Sequence, residues 1–241
     1  MALKPIEVQS QERMVAMIIG EPGVGKTSLV KTIPSDQKVC VISAESGLLS
    51  VIEEVRSGHV SGYEVETFDD LIDIFNHLTE EESKEKYQWI FIDSLTEIGE
   101  RCFEHIKKQY PTDKDTLRAW SKYGERFQKL IKAFRDLKPY NVVFTCLPKI
   151  NKDENNVRYK GADVPGKAVA EKLPAYFDEV LYYRVEMGES GEYERFLLTQ
   201  PIDNYVAKDR SGRLELNEAP DLGAIYNKIM NNDSTAEEVE Q

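Results

Sequence analysis

The chain has 241 residues, 41% of them hydrophobic, and a formal net charge of −12. That is enough apolar material for one sizeable core, and two full domains would each be small. The negative charge argues against a protein that coats nucleic acid with its whole surface, though a local basic loop stays open.

No run of about 18 apolar residues occurs, so no membrane span is expected. The opening segment MALKPIEVQSQER has no apolar stretch of the kind found in secretory signals, and a cytoplasmic location is expected. Cys40, Cys102 and Cys146 lie far apart in apolar surroundings, which reads as buried thiols in a reducing compartment. His59, His77 and His105 show no ligand spacing, so no structural zinc is expected.

In chain order, the apolar run Met14 to Ile19 predicts a buried strand ending at a glycine. A helix is expected from Thr27 to Ile33, stopped by Pro34. Lys38 to Ser43 predicts a second strand, Leu48 to Arg56 a helix, and Tyr63 to Glu66 a short edge strand. Thr67 offers an N-cap for the helix DDLIDIFNHL, and Glu80 to Lys86 reads as a charged turn. Gln88 to Ile92 is a third buried strand ending in Asp93. Helices follow over about 95–109 and 116–137, then a strand from Asn141 to Cys146.

Beyond residue 150 the texture changes. A polar loop is expected from Lys149 to Lys167, a helix to about Tyr176, and a hairpin pairing Asp178 to Glu186 with Tyr193 to Thr199. Leu222 to Met230 reads as a packing helix. Apolar strands alternating with helices predict an α/β fold: a mostly parallel twisted sheet flanked by helices, with a C-terminal β-hairpin extension. One domain is expected over residues 1–231. Residues 232–241, with four acids and no base, read as a disordered tail.

Residues 20–27 read GEPGVGKT and match G-x-x-x-x-G-K-[ST] at every fixed position. The glycines let the backbone curl so that successive amides face phosphate oxygens. The expected nucleotide-binding residues are Gly20, Glu21, Pro22, Gly23, Val24, Gly25, Lys26, Thr27 and Ser28. Lys26 reaches the β- and γ-phosphates, and the Thr27 hydroxyl serves Mg²⁺. The alternative, a glycine turn that carries Lys-Thr by chance, fits poorly with an apolar strand before it and an apolar helix after it.

Asp93 at its strand end has the position of a Walker-B aspartate, the second metal-organising residue beside Thr27. N-capping of the next helix, by Asp93 or by Ser94, is compatible with that role. Glu45 follows the second strand on the same rim, where a carboxylate can deprotonate water; a solvated loop acid is the competing reading.

These segments resemble the RecA-like P-loop ATPases: CVISAES looks like the strand ending in the catalytic glutamate, and IFIDS like the Walker-B strand. AKDRSG, Ala207 to Gly212, is similar to the Lys-x-Arg-x-Gly element of DnaB-type helicases. With Leu117, Arg118 and Trp120 as a Leu-Arg-x-Trp element, the chain over about residues 14–213 resembles phage RecA-like proteins of single-strand annealing recombination.

The resemblance implies ATP as substrate with Mg²⁺, Glu45 as catalytic base, and Lys208 and Arg210 as cationic fingers acting on a neighbouring subunit's ATP. A homo-oligomer, ring or filament, is then required. It further implies that the loop after the Asn141 to Cys146 strand binds single-stranded DNA through Lys149, Lys152, Arg158, Tyr159, Lys160 and Lys167, and that a single-strand-binding protein is a partner. Two departures from the pattern are Leu147, with Thr145 and Lys149 nearby, where a γ-phosphate sensor is expected, and Asp209 in place of Asn. The rival readings are a P-loop nucleotide kinase and a nucleotide-dependent scaffold without DNA contact.

Overall fold

A computed structural model describes residues 13–230 apart from 46, 47, 111, 113, 114, 154, 189 and 190. The sequence-based expectations for residues 1–12 and for the acidic segment 232–241 lie outside the described residues.

Five parallel strands form the heart of the molecule: β1 Val15–Gly20, β2 Val39–Ser43, β3 Val60–Glu64, β4 Trp89–Asp93 and β5 Asn141–Cys146. All but β3 are buried along their whole length. Strands buried on both faces are read as uninterrupted apolar runs, which is why sequence located them well.

A two-stranded antiparallel sheet follows, β6 Pro148–Lys152 with β7 Arg158–Ala162. The chain then returns to the main sheet as β8 Glu179–Met187, parallel to β1, and β9 Tyr193–Leu198, antiparallel to β8. Two short strands, β10 Lys208–Asp209 and β11 Asn217–Glu218, add to β8 and β9. The nine-stranded sheet runs β11-β9-β8-β1-β5-β4-β2-β3, with β10 continuing along the β8 edge below β9. This is the expected α/β architecture, hairpin extension included.

Helices cover both faces: α1 Ile52–Arg56, α2 Phe68–Thr79, α3 Glu81–Lys86, α4 Leu95–Gln109, α5 Thr116–Arg135, α6 Lys167–Lys172 and α7 Leu222–Met230. Buried side chains of α2, α4 and α5 close one core, including Leu71, Ile98, Tyr123 and Phe127. Leu222 and Ile225 of α7 close the other, with Leu29, Val30 and Trp89. Thr67 caps α2 in a reciprocal box, its hydroxyl receiving the Asp70 amide and the Asp70 carboxylate receiving the Thr67 amide.

Two expectations are corrected and one is refined. Residues 81–86 form the helix α3 and not a turn, because the Tyr87 amide donates to the Ser83 carbonyl and the buried Ser83 packs inward. The helix expected from Thr27 to Ile33 is a 3₁₀ helix over Thr27–Thr32. The helix has only six residues before Ile33, whose extended backbone suits the residue before Pro34. The segment expected as a polar loop is the β6–β7 hairpin, whose rungs run from Pro148–Ala162 to Lys152–Arg158. All three cysteines are buried as expected, and burial raises Cys40 and Cys102 to about 12 and Cys146 to about 11.

Among the described residues no helix is long and apolar enough to cross a membrane.

Candidate nucleotide site

The loop after β1 curls through two residues in the left-handed region, Gly23 at φ 76° and Gly25 at φ 107°. Any side chain at these positions would be strained, which accounts for glycine there. Val24 between them is buried and packs toward Gly20, anchoring the turn to the sheet. Lys26 is folded inward: its Nζ donates to the carbonyls of Gly20 at 2.7 Å and Glu21 at 3.0 Å. Burial pulls the Lys26 ammonium below the usual lysine range, and Asp93 and Glu45 oppose that by favouring its charge.

The sheet order brings the chemistry to this loop. β1 is flanked by β5, and β4 lies beyond β5, so the tip of β5 sits between the loop and Asp93. The Thr27 hydroxyl donates to Asp93 Oδ2 at 2.6 Å. The Thr145 hydroxyl, buried at the β5 end, donates to the other oxygen, Asp93 Oδ1. Asp93 is 4% exposed, so these two donors hold a carboxylate that water scarcely reaches. Thr27 and Asp93 present hard oxygen donors side by side, a set suited to Mg²⁺.

Glu45 extends from the tip of β2. Its Oε1 accepts a hydrogen bond from the Ser94 hydroxyl at 2.5 Å. Ser94 is fully buried at the N-cap of α4, and its peptide bond with Asp93 is cis. The Ala44 amide donates to the Asp93 carbonyl at 2.7 Å, which locks the two strand tips together. A cavity of about 650 Å³ opens over these groups and is lined by the loop, Glu45, Ser50, Asp93, Glu97, Arg101 and Leu147.

Loop, Asp93 and Glu45 therefore line one cavity. Ser94, Glu97 and Arg101 also belong to this site, and sequence reading passed over their placement. The four-residue spacing of Glu97 and Arg101 puts them on one helix face, but only the fold aims that face at the cavity. At the expected sensor position Leu147 lines the cavity, Thr145 is committed to Asp93, and Lys149 forms an ion pair with Asp163 at 2.8 Å.

Other expected site residues lie elsewhere. β10 pairs with the start of β8, so Lys208 and Arg210 sit beside the Ala16 end of β1, whereas the loop leaves the Gly20 end. Four residues of strand separate those ends by about 13 Å. Lys208 Nζ donates to the carbonyls of Phe177 at 2.5 Å and Pro174 at 3.4 Å, and Arg210 pairs with Asp178.

The cations of the hairpin divide between its two faces. Lys152 stands opposite Arg158, and Lys160 shares their face; Tyr159 and Lys149 occupy the other. Arg158, Tyr159 and Lys160 thus do not form one surface. Lys160 is further tied to Tyr205, donating to its hydroxyl at 3.1 Å and lying over its ring at 4.7 Å. Lys167 lies on α6 beside Glu171 at 3.5 Å.

A mostly parallel sheet flanked by helices, a glycine loop after the first strand and an acid at a strand tip define a P-loop NTPase. The model of the AAA domain family matches residues 12–211, and the chain belongs to that family. It is thereby a nucleotide-binding NTPase, with ATP hydrolysis the general activity of the class. A search of curated proteins returns no match.

Proposed function

We propose that the protein is a Mg²⁺-dependent ATPase that oligomerises and acts on single-stranded DNA, in the manner of the phage recombination proteins its sequence resembles. One observation carries the enzymatic half of this reading: the Thr27–Asp93–Thr145 chain and the Glu45 carboxylate converge on one cavity with Lys26.

In this reading the backbone amides of Gly23 to Ser28 cradle the triphosphate, and Lys26 offsets the charge on its terminal phosphates. Thr27 and Asp93 hold Mg²⁺, which when bound offsets the charge that develops on the phosphates. Glu45, fixed by Ser94, takes the proton of the attacking water; a positioned general base contributes on the order of 10²–10⁴ in rate.

Lys208 and Arg210 are too far from the loop of their own subunit to act there, so their role requires a second copy. Arg210 then exchanges Asp178 for phosphate oxygen. Arg210 is more than half exposed, which supports that exchange. The β6–β7 hairpin is the DNA-binding element of this reading. It starts one residue after Leu147 at the cavity rim, which supports communication between nucleotide and strand. Lys152 opposite Arg158 is a like-charge pair that an anion between them would stabilise. The host cytoplasm, a ring or filament of copies, and a single-strand-binding protein partner complete the proposal.

The test is ATP turnover with and without single-stranded DNA, for wild type and Glu45→Gln, with oligomer size measured alongside. DNA stimulation, loss of turnover in Glu45→Gln and an oligomeric wild type are expected. Phosphate transfer to a nucleoside, or no turnover under any condition, would refute the reading.

A further inference from the structure

The helix after Asp93 holds the tip of β2 at two points, through Ser94 at its cap and through Arg101 two turns further on. Arg101 is one of the residues lining the cavity. Its Nη2 donates to the Ala44 carbonyl at 2.6 Å and its Nη1 to the Glu66 carbonyl at 2.6 Å. The first carbonyl lies one residue past β2 and the second two residues past β3, so one guanidinium ties together two parallel strand ends where their ladder stops.

Ala44 is therefore fixed on both sides, its amide by the Asp93 carbonyl and its carbonyl by Arg101. The next residue is Glu45. Its carboxylate is held by Ser94 and its own carbonyl accepts from the Ser43 hydroxyl at 2.6 Å. The side chain of Glu45 thus depends on the α4 cap residue, and its backbone on Arg101 of the same helix.

We propose that Arg101 is a positioning residue for Glu45, setting the backbone from which the carboxylate reaches attacking water. This rests on Glu45 acting as the base. Arginine suits such a role, because a planar guanidinium offers separate donors to two carbonyls at once, whereas a lysine ammonium is a single point on a flexible stem. Misplacing a reacting group by about 1 Å costs on the order of 10²-fold in rate.

The alternative role for a cation lining this cavity is direct contact with nucleotide, and the two separate kinetically. If Arg101 acts through Glu45, Arg101→Lys and Arg101→Ala lower kcat by on the order of 10²-fold and leave KM for ATP within about twofold. In a Glu45→Gln background, Arg101→Ala then adds no further loss. Thermal melting of each variant separates this effect from unfolding, and Arg101→Lys serves where Arg101→Ala fails to fold.

An unchanged kcat in Arg101→Lys would overturn the proposal, as would a raised KM at constant kcat. So would losses that multiply in the double variant. Wild-type turnover in Glu45→Gln alone would instead remove the base assignment, and the positioning role with it.

Discussion

Glu179 opens β8 with 1% exposure and stands in register opposite Asp209 of β10. Its Oε1 accepts from the Ser211 amide at 3.3 Å, and in its protonated form the carboxyl also donates to the Asp209 carboxylate. Burial first, and the charge of Asp209 second, raise this carboxyl from the ordinary 4.5 to about 8. Asp209 moves the other way: burial works against it, but bonds from the Ser211 hydroxyl and the Leu214 and Gly212 amides hold it low. Asp178 adds to the negative field, and its partner Arg210 and the nearby Lys208 relieve it.

Between about pH 4.5 and 8 the folded protein keeps a proton here that the unfolded chain has released. Stability from this group is therefore full below 4.5 and is lost as pH rises through about 8. Each pH unit within that window costs up to about 1.4 kcal/mol, a few kcal/mol across it. In a chain of this length about 1 kcal/mol moves Tm by about 2–4 °C. Glu179→Gln keeps the site neutral, so its Tm declines less than that of wild type between about pH 5.5 and 9. Thermal melting of both proteins across that range is the assay. Parallel Tm–pH curves would refute the reasoning.

Gly223→Ala would place a Cβ 2.7 Å from the Thr32 carbonyl oxygen, where α7 docks on the turn after the phosphate loop; a loss of about 1–3 kcal/mol in stability is expected on denaturant titration. Thr145→Val removes one donor from the buried Asp93 carboxylate, worth about 1.5–3 kcal/mol, and melting should fall accordingly while Thr145→Ser restores it. If the hairpin binds single-stranded DNA, Lys152→Ala and Arg158→Ala each reduce the slope of log affinity against log salt by about 0.7, measured by fluorescence anisotropy.

Local signals were enough for much of this molecule. The GEPGVGKT loop, the acids at two strand tips and the buried strands each reveal themselves within a few residues. What escaped depends on distant neighbours. Thr145 reaches Asp93 because β5 is inserted between β1 and β4, an order no window of sequence contains. Arg101 matters through Ala44 and Glu66, 57 and 35 residues away. The β6–β7 segment reads as a loop because its charged, glycine-containing strands lack the apolar alternation of a half-buried sheet; only Gly161 and Ala162 at one end are buried. The charges of 81–86 likewise masked a helix whose buried contact is one serine.

Lys26 and the loop around it must grip a triphosphate if this protein is an ATPase, and calorimetric titration with Mg·ATP tests that directly. Lys26→Ala should weaken binding by about 10- to 150-fold, the worth of one charge-assisted bond of about 1.5–3 kcal/mol, while Glu45→Gln binds as wild type does. Equal affinity in Lys26→Ala and wild type would contradict it.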